Sequence, residues 1–90
     1  MDGKQNKFDL EDRLVDFACM CLEVCDLLPN TKTGQNLEYQ LSKSSSASVL
    51  VYGEAQAAES RADFIHKMKV VLKEIRDSRV NLKIIKKSQL

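Results

Sequence analysis

The residues of this chain best suited to chemistry are cations. Lys69, Lys73, Arg76, Lys83 and Lys87 follow one another at intervals of 4, 3, 7 and 4, which on a helix places all five on one face. A row of this kind neutralises phosphates, with an affinity that falls as salt rises. The same spacing describes the solvated Lys/Arg face that most amphipathic helices carry, and both readings stand. No aromatic residue interleaves with the five, so base stacking is not expected of them.

Other reactive side chains form weaker patterns. Cys21 and Cys25 lie one helical turn apart and His66 is the single histidine. A structural zinc site needs four Cys/His ligands at turn-linked spacings, and no such motif occurs, so no metal or other cofactor is expected. Cysteines of this kind behave as small hydrophobes when buried. Asp9, Asp12 and Asp16 share a helix face and read as a solvated acidic surface. Gly3, Gly34 and Gly53 build no phosphate-cradling loop, and neither G-x-S-x-G nor H-E-x-x-H is present. One histidine among several serines is no triad without geometry. A non-enzymatic protein with no catalytic residue is the expectation.

The elements that must position these residues belong to one small domain, since 90 residues and 10.2 kDa leave no room for a second. Charged residues at 30% and apolar ones at 43% describe a soluble globule rather than a disordered chain. At this size a single core is marginal unless chains associate. The longest charge-free run, Ser44 to Gly53, has ten residues of which four are serine, far short of the ~20 apolar residues of a membrane span. No basic segment followed by an apolar one opens the chain, so neither a secretion signal nor membrane contact is expected. Three cysteines within seven residues make a poor disulfide framework and suit a reducing cytoplasm. The net charge of +1 hides a division: residues 1–60 carry −5 and residues 61–90 carry +6. That asymmetry fits an anionic partner, and equally fits acidic and basic helices attracting one another.

Residues 1–8 read as a flexible polar tail and residues 9–90 as one helical-bundle domain. Asp9 is the expected N-cap of a first helix, with Glu11 and Asp12 in its first turn. Leu10, Leu14, Phe17, Cys21, Val24 and Leu28 step by 4 and 3, a helical stripe that Pro29 ends. The residues from Phe17 to Leu22 are apolar on every side, as at a subunit interface. Gln35 to Ala58 is ambiguous: Ser42 to Ser48 resembles a flexible linker and Ser48 to Tyr52 a strand. Helical spacing nonetheless runs through Leu37, Leu41, Ser44, Ser48, Val51 and Ala55. Ser60-Arg61-Ala62-Asp63 resembles a capping box opening a third helix. In that helix Phe64, Met68, Val71, Ile75 and Leu82 form a heptad seam interrupted by Ser78 and widened by Ile65 and Leu72. The expected fold is all-α, an antiparallel up-down helical bundle of three long helices.

Several runs resemble a known family. Tyr52-Gly-Glu54-Ala55, then Ala58-Glu-Ser60-Arg61-Ala-Asp63-Phe64-Ile65-His66-Lys67-Met68-Lys69, then Leu72-Lys73-Glu74-Ile75-Arg76-Asp77, are similar in order and spacing to the bacterial four-helix-bundle proteins, also called 23S rRNA intervening-sequence proteins. The first helix and Leu28-Pro29 share the likeness, which covers roughly Phe8 to Ile85. The resemblance implies a non-catalytic homo-oligomer, commonly a pentameric ring. A related branch, the accessory variability proteins of diversity-generating retroelements, binds nucleic acid and a reverse transcriptase. RNA or DNA, a reverse transcriptase or another protein, and further copies of the chain are therefore the expected partners. Three positions depart from the pattern: Val51 stands where the family has Asn, the late aromatic of the third helix is absent around Val80 to Leu82, and the sequence ends at Leu90, where similar proteins continue into a fourth helix. Glu54, Lys67 and Glu74 match family-typical positions and read as an interhelical ion-pair network, with an acid/base role for Glu54 as the other reading. If that network is buried, Glu54→Ala is strongly destabilising. Tyr52 is expected to bury its ring and hydrogen-bond through its hydroxyl.

On these grounds the chain is read as a cytoplasmic bundle subunit whose ring assembly multiplies the basic stripe by avidity. The alternative is a protein-interaction or scaffold module with no nucleic-acid role.

Overall fold

The computed structural model describes residues 9–88. The tail expected over residues 1–8, and the last two residues of the domain, lie outside the described residues. The fold consists of three helices: α1 (Leu10–Asp26), α2 (Lys32–Gln56) and α3 (Arg61–Ser88). No strand occurs among the described residues.

Local chemistry sets each boundary. Asp9 caps α1, its carboxylate accepting the Asp12 backbone N–H at 3.1 Å, while Glu11 and Asp12 put negative charge on the positive helix end. The helix stops at Asp26, three residues before Pro29. The connection is Leu27 to Thr31, because Thr31 caps α2 by accepting the Gly34 N–H at 3.0 Å, so that Gly34 already lies within the helix. Ser60 does the same for α3, accepting the Asp63 N–H at 3.0 Å.

The serine-rich stretch is neither linker nor strand; it lies inside α2. Isolated serines compete with helical hydrogen bonds, yet here the hydroxyls turn back on their own helix. Ser42, Ser44, Ser45 and Ser48 each donate to the carbonyl three residues earlier, Ser48 at 2.7 Å. Their polarity is thereby satisfied and their small volume lets neighbouring helices come close. Ser45 and Ser48 are completely buried.

The central element is α2. Both α1 and α3 pack along it and touch one another only slightly, giving a layer of 43 × 33 × 17 Å. Contacts along α2 and α3 run in opposite order: Ser44 meets Ser78, and Glu54 further on meets Lys67. The core gathers Cys21 and Cys25 of α1, Leu37 and Leu41 of α2 and Ile85 of α3, with Phe17, Val24, Leu28 and Leu82 against them. The stripe expected for α1 thus faces inward.

On α3 the expected seam turns inward through Met68, Val71, Ile75, Ser78 and Leu82, but its first residue and the residues that widen it do not. Val71, Ser78, Asn81 and Ile85 are buried, whereas Phe64, Ile65 and Leu72 of the heptad seam are 42%, 44% and 57% exposed. The cause is the composition of α2, whose inner face offers Ser44, Ser48 and Ala55. A close approach on small residues selects a small residue opposite, and Ser78 is where the two backbones come near. Phe64, Ile65 and Leu72 turn aside, leaving an exposed apolar flank on α3.

Candidate nucleic-acid interface

Lys69, Lys73, Arg76, Lys83 and Lys87 are all exposed on α3, on the face turned away from the buried positions Val71, Ser78 and Ile85. The helix is unbroken for 28 residues, so the row is rigid. Lys73 is the one member with an ion pair among the described residues: its Nζ lies 2.9 Å from Asp77 Oδ2, one turn on. That bond, with the nearby charges of Asp77 and Glu74, holds the Lys73 ammonium above its ordinary pKa. Asp77 also offsets part of its attraction for an anion.

The structure adds groups that the row alone did not show. Between α2 and α3 lies an open cleft of about 600 Å³, bordered by Lys73 and Arg76 from α3 and by Tyr39 and Lys43 from α2. Lys43 Nζ sits 5.5 Å from the centroid of the Tyr39 ring, a cation–π contact one turn apart. Tyr39 and Lys43 lie more than 25 positions from the row in sequence, so no local pattern joins them to it. The i, i+4 spacing of an aromatic and a cation on α2 is the signal that points to them, and it has meaning only once the serine stretch is known to be helix.

The expected ion-pair network shrinks to a single bridge. Lys67 Nζ donates to Glu54 Oε1 at 2.9 Å, joining α3 to α2, and this hydrogen bond raises the Lys67 pKa. Glu74 makes no ion pair among the described residues; it follows Lys67 by two turns, roughly 10 Å along the axis. Its backbone carbonyl instead accepts the Ser78 hydroxyl at 3.0 Å. The bridge is not buried, since the Glu54 side chain is 57% exposed. Glu54→Ala is therefore expected to move the melting temperature by less than about 4 °C, measured by circular dichroism, rather than to be strongly destabilising. Tyr52 is half-buried, and its hydroxyl accepts a weak bond from Gln56 Nε2 at 3.4 Å.

Cys19 is exposed, whereas Cys21 and Cys25 are buried free thiols. Burial pushes both buried thiols above their ordinary pKa, so they remain protonated and contribute volume to the core; Cys25 Sγ donates to the Glu38 carbonyl at 3.6 Å. His66 is exposed on α3. Among the described residues no group of three or more His, Cys, Asp or Glu side chains is placed to hold a metal ion. No helix of the described residues is long and apolar enough to cross a membrane.

The arrangement can attract an anionic polymer along α3 and hold part of it against the α2–α3 cleft. Comparison with protein-family models, with curated proteins and with solved structures yields no match for this chain.

Proposed function

We propose that the chain is a subunit of a non-enzymatic, homo-oligomeric, antiparallel up-down bundle that binds RNA or DNA through the basic face of α3, in the manner implied by its resemblance to the 23S rRNA intervening-sequence proteins. The observation that carries this reading is the single exposed row Lys69, Lys73, Arg76, Lys83 and Lys87 on one rigid helix. The opposed order of the Ser44–Ser78 and Glu54–Lys67 contacts supports the up-down arrangement. Self-association is supported by the flank of α3 that no other helix among the described residues covers, where Phe64, Ile65 and Leu72 are exposed. The outer helices also differ in sign, α1 carrying five acidic residues to one Arg and α3 nine basic to three acidic. A copy laid across it would pair opposite charges around an apolar centre. A cytoplasmic setting accords with the free thiols.

The test is binding of labelled RNA and DNA at several salt concentrations, with the particle mass followed by light scattering. The triple substitution Lys73→Glu, Arg76→Glu, Lys83→Glu is expected to abolish binding. In partial variants, each lost phosphate contact should lower the slope of log affinity against log salt by about 0.7–0.9. Unchanged binding at every salt concentration would defeat the proposal. The same uncovered flank favours a second reading, a scaffold module that receives a partner helix. That reading expects binding insensitive to salt and lost on Met68→Asp or Ile75→Asp.

A further inference from the structure

The cleft between α2 and α3 holds an unusual polar group. Asn81 is 7% exposed and lines the cleft, yet its side-chain amide makes no hydrogen bond among the described residues. A buried amide carries both a donor and an acceptor, and leaving them unmet is costly. The other buried polar side chains of the same helices are met: Ser44, Ser45, Ser48 and Ser78 all bond to a carbonyl or to one another. Asn81 alone among them is left for something that enters the cleft.

What could enter is limited by the surroundings. Tyr39 presents a ring that is 61% exposed, at the cleft wall and beside Lys43. Lys73 and Arg76 stand at the opposite rim, with Glu74 and Asp77 among them. Three cations against two carboxylates leave a small positive excess, suited to one phosphodiester charge and unsuited to a polyphosphate. An aromatic plane, a paired donor and acceptor at depth, and a cation rim together match one nucleotide: a base to stack, a base edge to hydrogen-bond, and a phosphate. A volume of about 600 Å³ is within the range of small-ligand sites.

We propose that this cleft seats a nucleotide unit of a single-stranded nucleic acid, its base stacked on Tyr39, its base edge bonded to the Asn81 amide and its phosphate held by Lys73, Arg76 and Lys43. The proposal rests on the nucleic-acid reading above and goes beyond it, because stacking demands an unpaired base and so excludes duplex. It also reverses the expectation that the basic row has no aromatic to work with. The aromatic comes from α2.

The test uses the full chain and fluorescence anisotropy with a labelled twelve-residue single-stranded RNA, the same RNA as a duplex, and adenosine monophosphate as competitor. The single strand is expected to bind at least about tenfold more tightly than the duplex. Tyr39→Leu is expected to weaken the single strand by about tenfold, leaving duplex binding and the melting temperature unchanged, and Tyr39→Phe is expected to restore it. Asn81→Leu should also weaken single-strand binding, read beside its own melting curve. Equal affinity for strand and duplex with Tyr39→Leu neutral would overturn this proposal; a retained effect of the Lys73, Arg76 and Lys83 reversal would then leave the phosphate reading standing. Binding indifferent to that reversal would overturn both. Adenosine monophosphate competing as strongly as the strand would overturn the assignment to a polymer and make the ligand a free nucleotide.

Discussion

Gly34→Ala is expected to lower the melting temperature by up to roughly 15 °C, while Gly53→Ala raises it by a few degrees. Both glycines lie inside α2, and helix propensity alone favours alanine over glycine at both by about 1 kcal/mol. The surroundings separate them. A Cβ on Gly34 would overlap the Pro29 carbonyl oxygen and lie 3.0 Å from its carbon. The obstacle is backbone, in the turn that carries the chain from α1 into α2, so a side-chain rotation cannot relieve it. Relief requires moving Pro29 away from the first turn of α2, against the Thr31 cap that fixes that turn. Overpacking of this kind costs about 1–3 kcal/mol, enough to outweigh the propensity gain, and each kcal/mol corresponds to about 4–8 °C in a domain of this size. Nothing lies within 4 Å of a Cβ on Gly53, so there the propensity gain of about 0.5–1 kcal/mol stands. Thermal melts of the two variants beside the parent chain decide the matter. A Gly34→Ala chain at least as stable as the parent would mean that Pro29 does not press on α2.

The same two glycines show how far the sequence could be read. Gly34 and Pro29 mark a turn in any reading, yet only the folded chain shows that Thr31 already caps the helix and that Gly34 sits against Pro29. The first helix was legible because its apolar residues recur at 4 and 3 with little competition from other patterns. The second was ambiguous because serine carries signals for linker, strand and helix alike. What decides among them is the back-bonding of Ser42, Ser44, Ser45 and Ser48 and their burial, neither of which has a periodic signature. The existence of the third helix was plain, and so was the line of its seam, but which residues of that seam lie deepest was not. Hydrophobicity ranked Phe64 and Leu72 above Ser78 as core, but the partner surface offered small residues and took Ser78. For the site, a row of cations on one helix is a local pattern and could be read directly. Tyr39 and Asn81 could not, since a cleft between two helices depends on which faces meet.

How closely α2 and α3 meet has a direct test at Ser78, with an effect whose sign differs between the apolar pattern and the observed packing. Leucine at that position would complete the apolar heptad seam that contains Val71, Ile75 and Leu82, and a bundle packed on that seam would gain stability from it. In the observed packing Ser78 has no exposed surface, its Oγ lies 2.7 Å from Ser44 Oγ, and it bonds to the Glu74 carbonyl. A larger side chain there must force α2 and α3 apart along their closest approach. Ser78→Leu is accordingly expected to destabilise by about 1–3 kcal/mol or more, a drop of roughly 5–20 °C or loss of the folded state. Ser78→Ala removes two hydrogen bonds, to Ser44 and to the Glu74 carbonyl, but keeps the small volume, and Ser44 retains the Leu41 carbonyl as an acceptor at 3.4 Å; the net cost is about 0.5–1.5 kcal/mol. The ordering of the three chains in chemical denaturation, parent above Ala above Leu, separates a contact that requires smallness from one that requires polarity. Were Leu the most stable of the three, α2 and α3 would not meet at Ser78 as closely as its complete burial and its contact with Ser44 require.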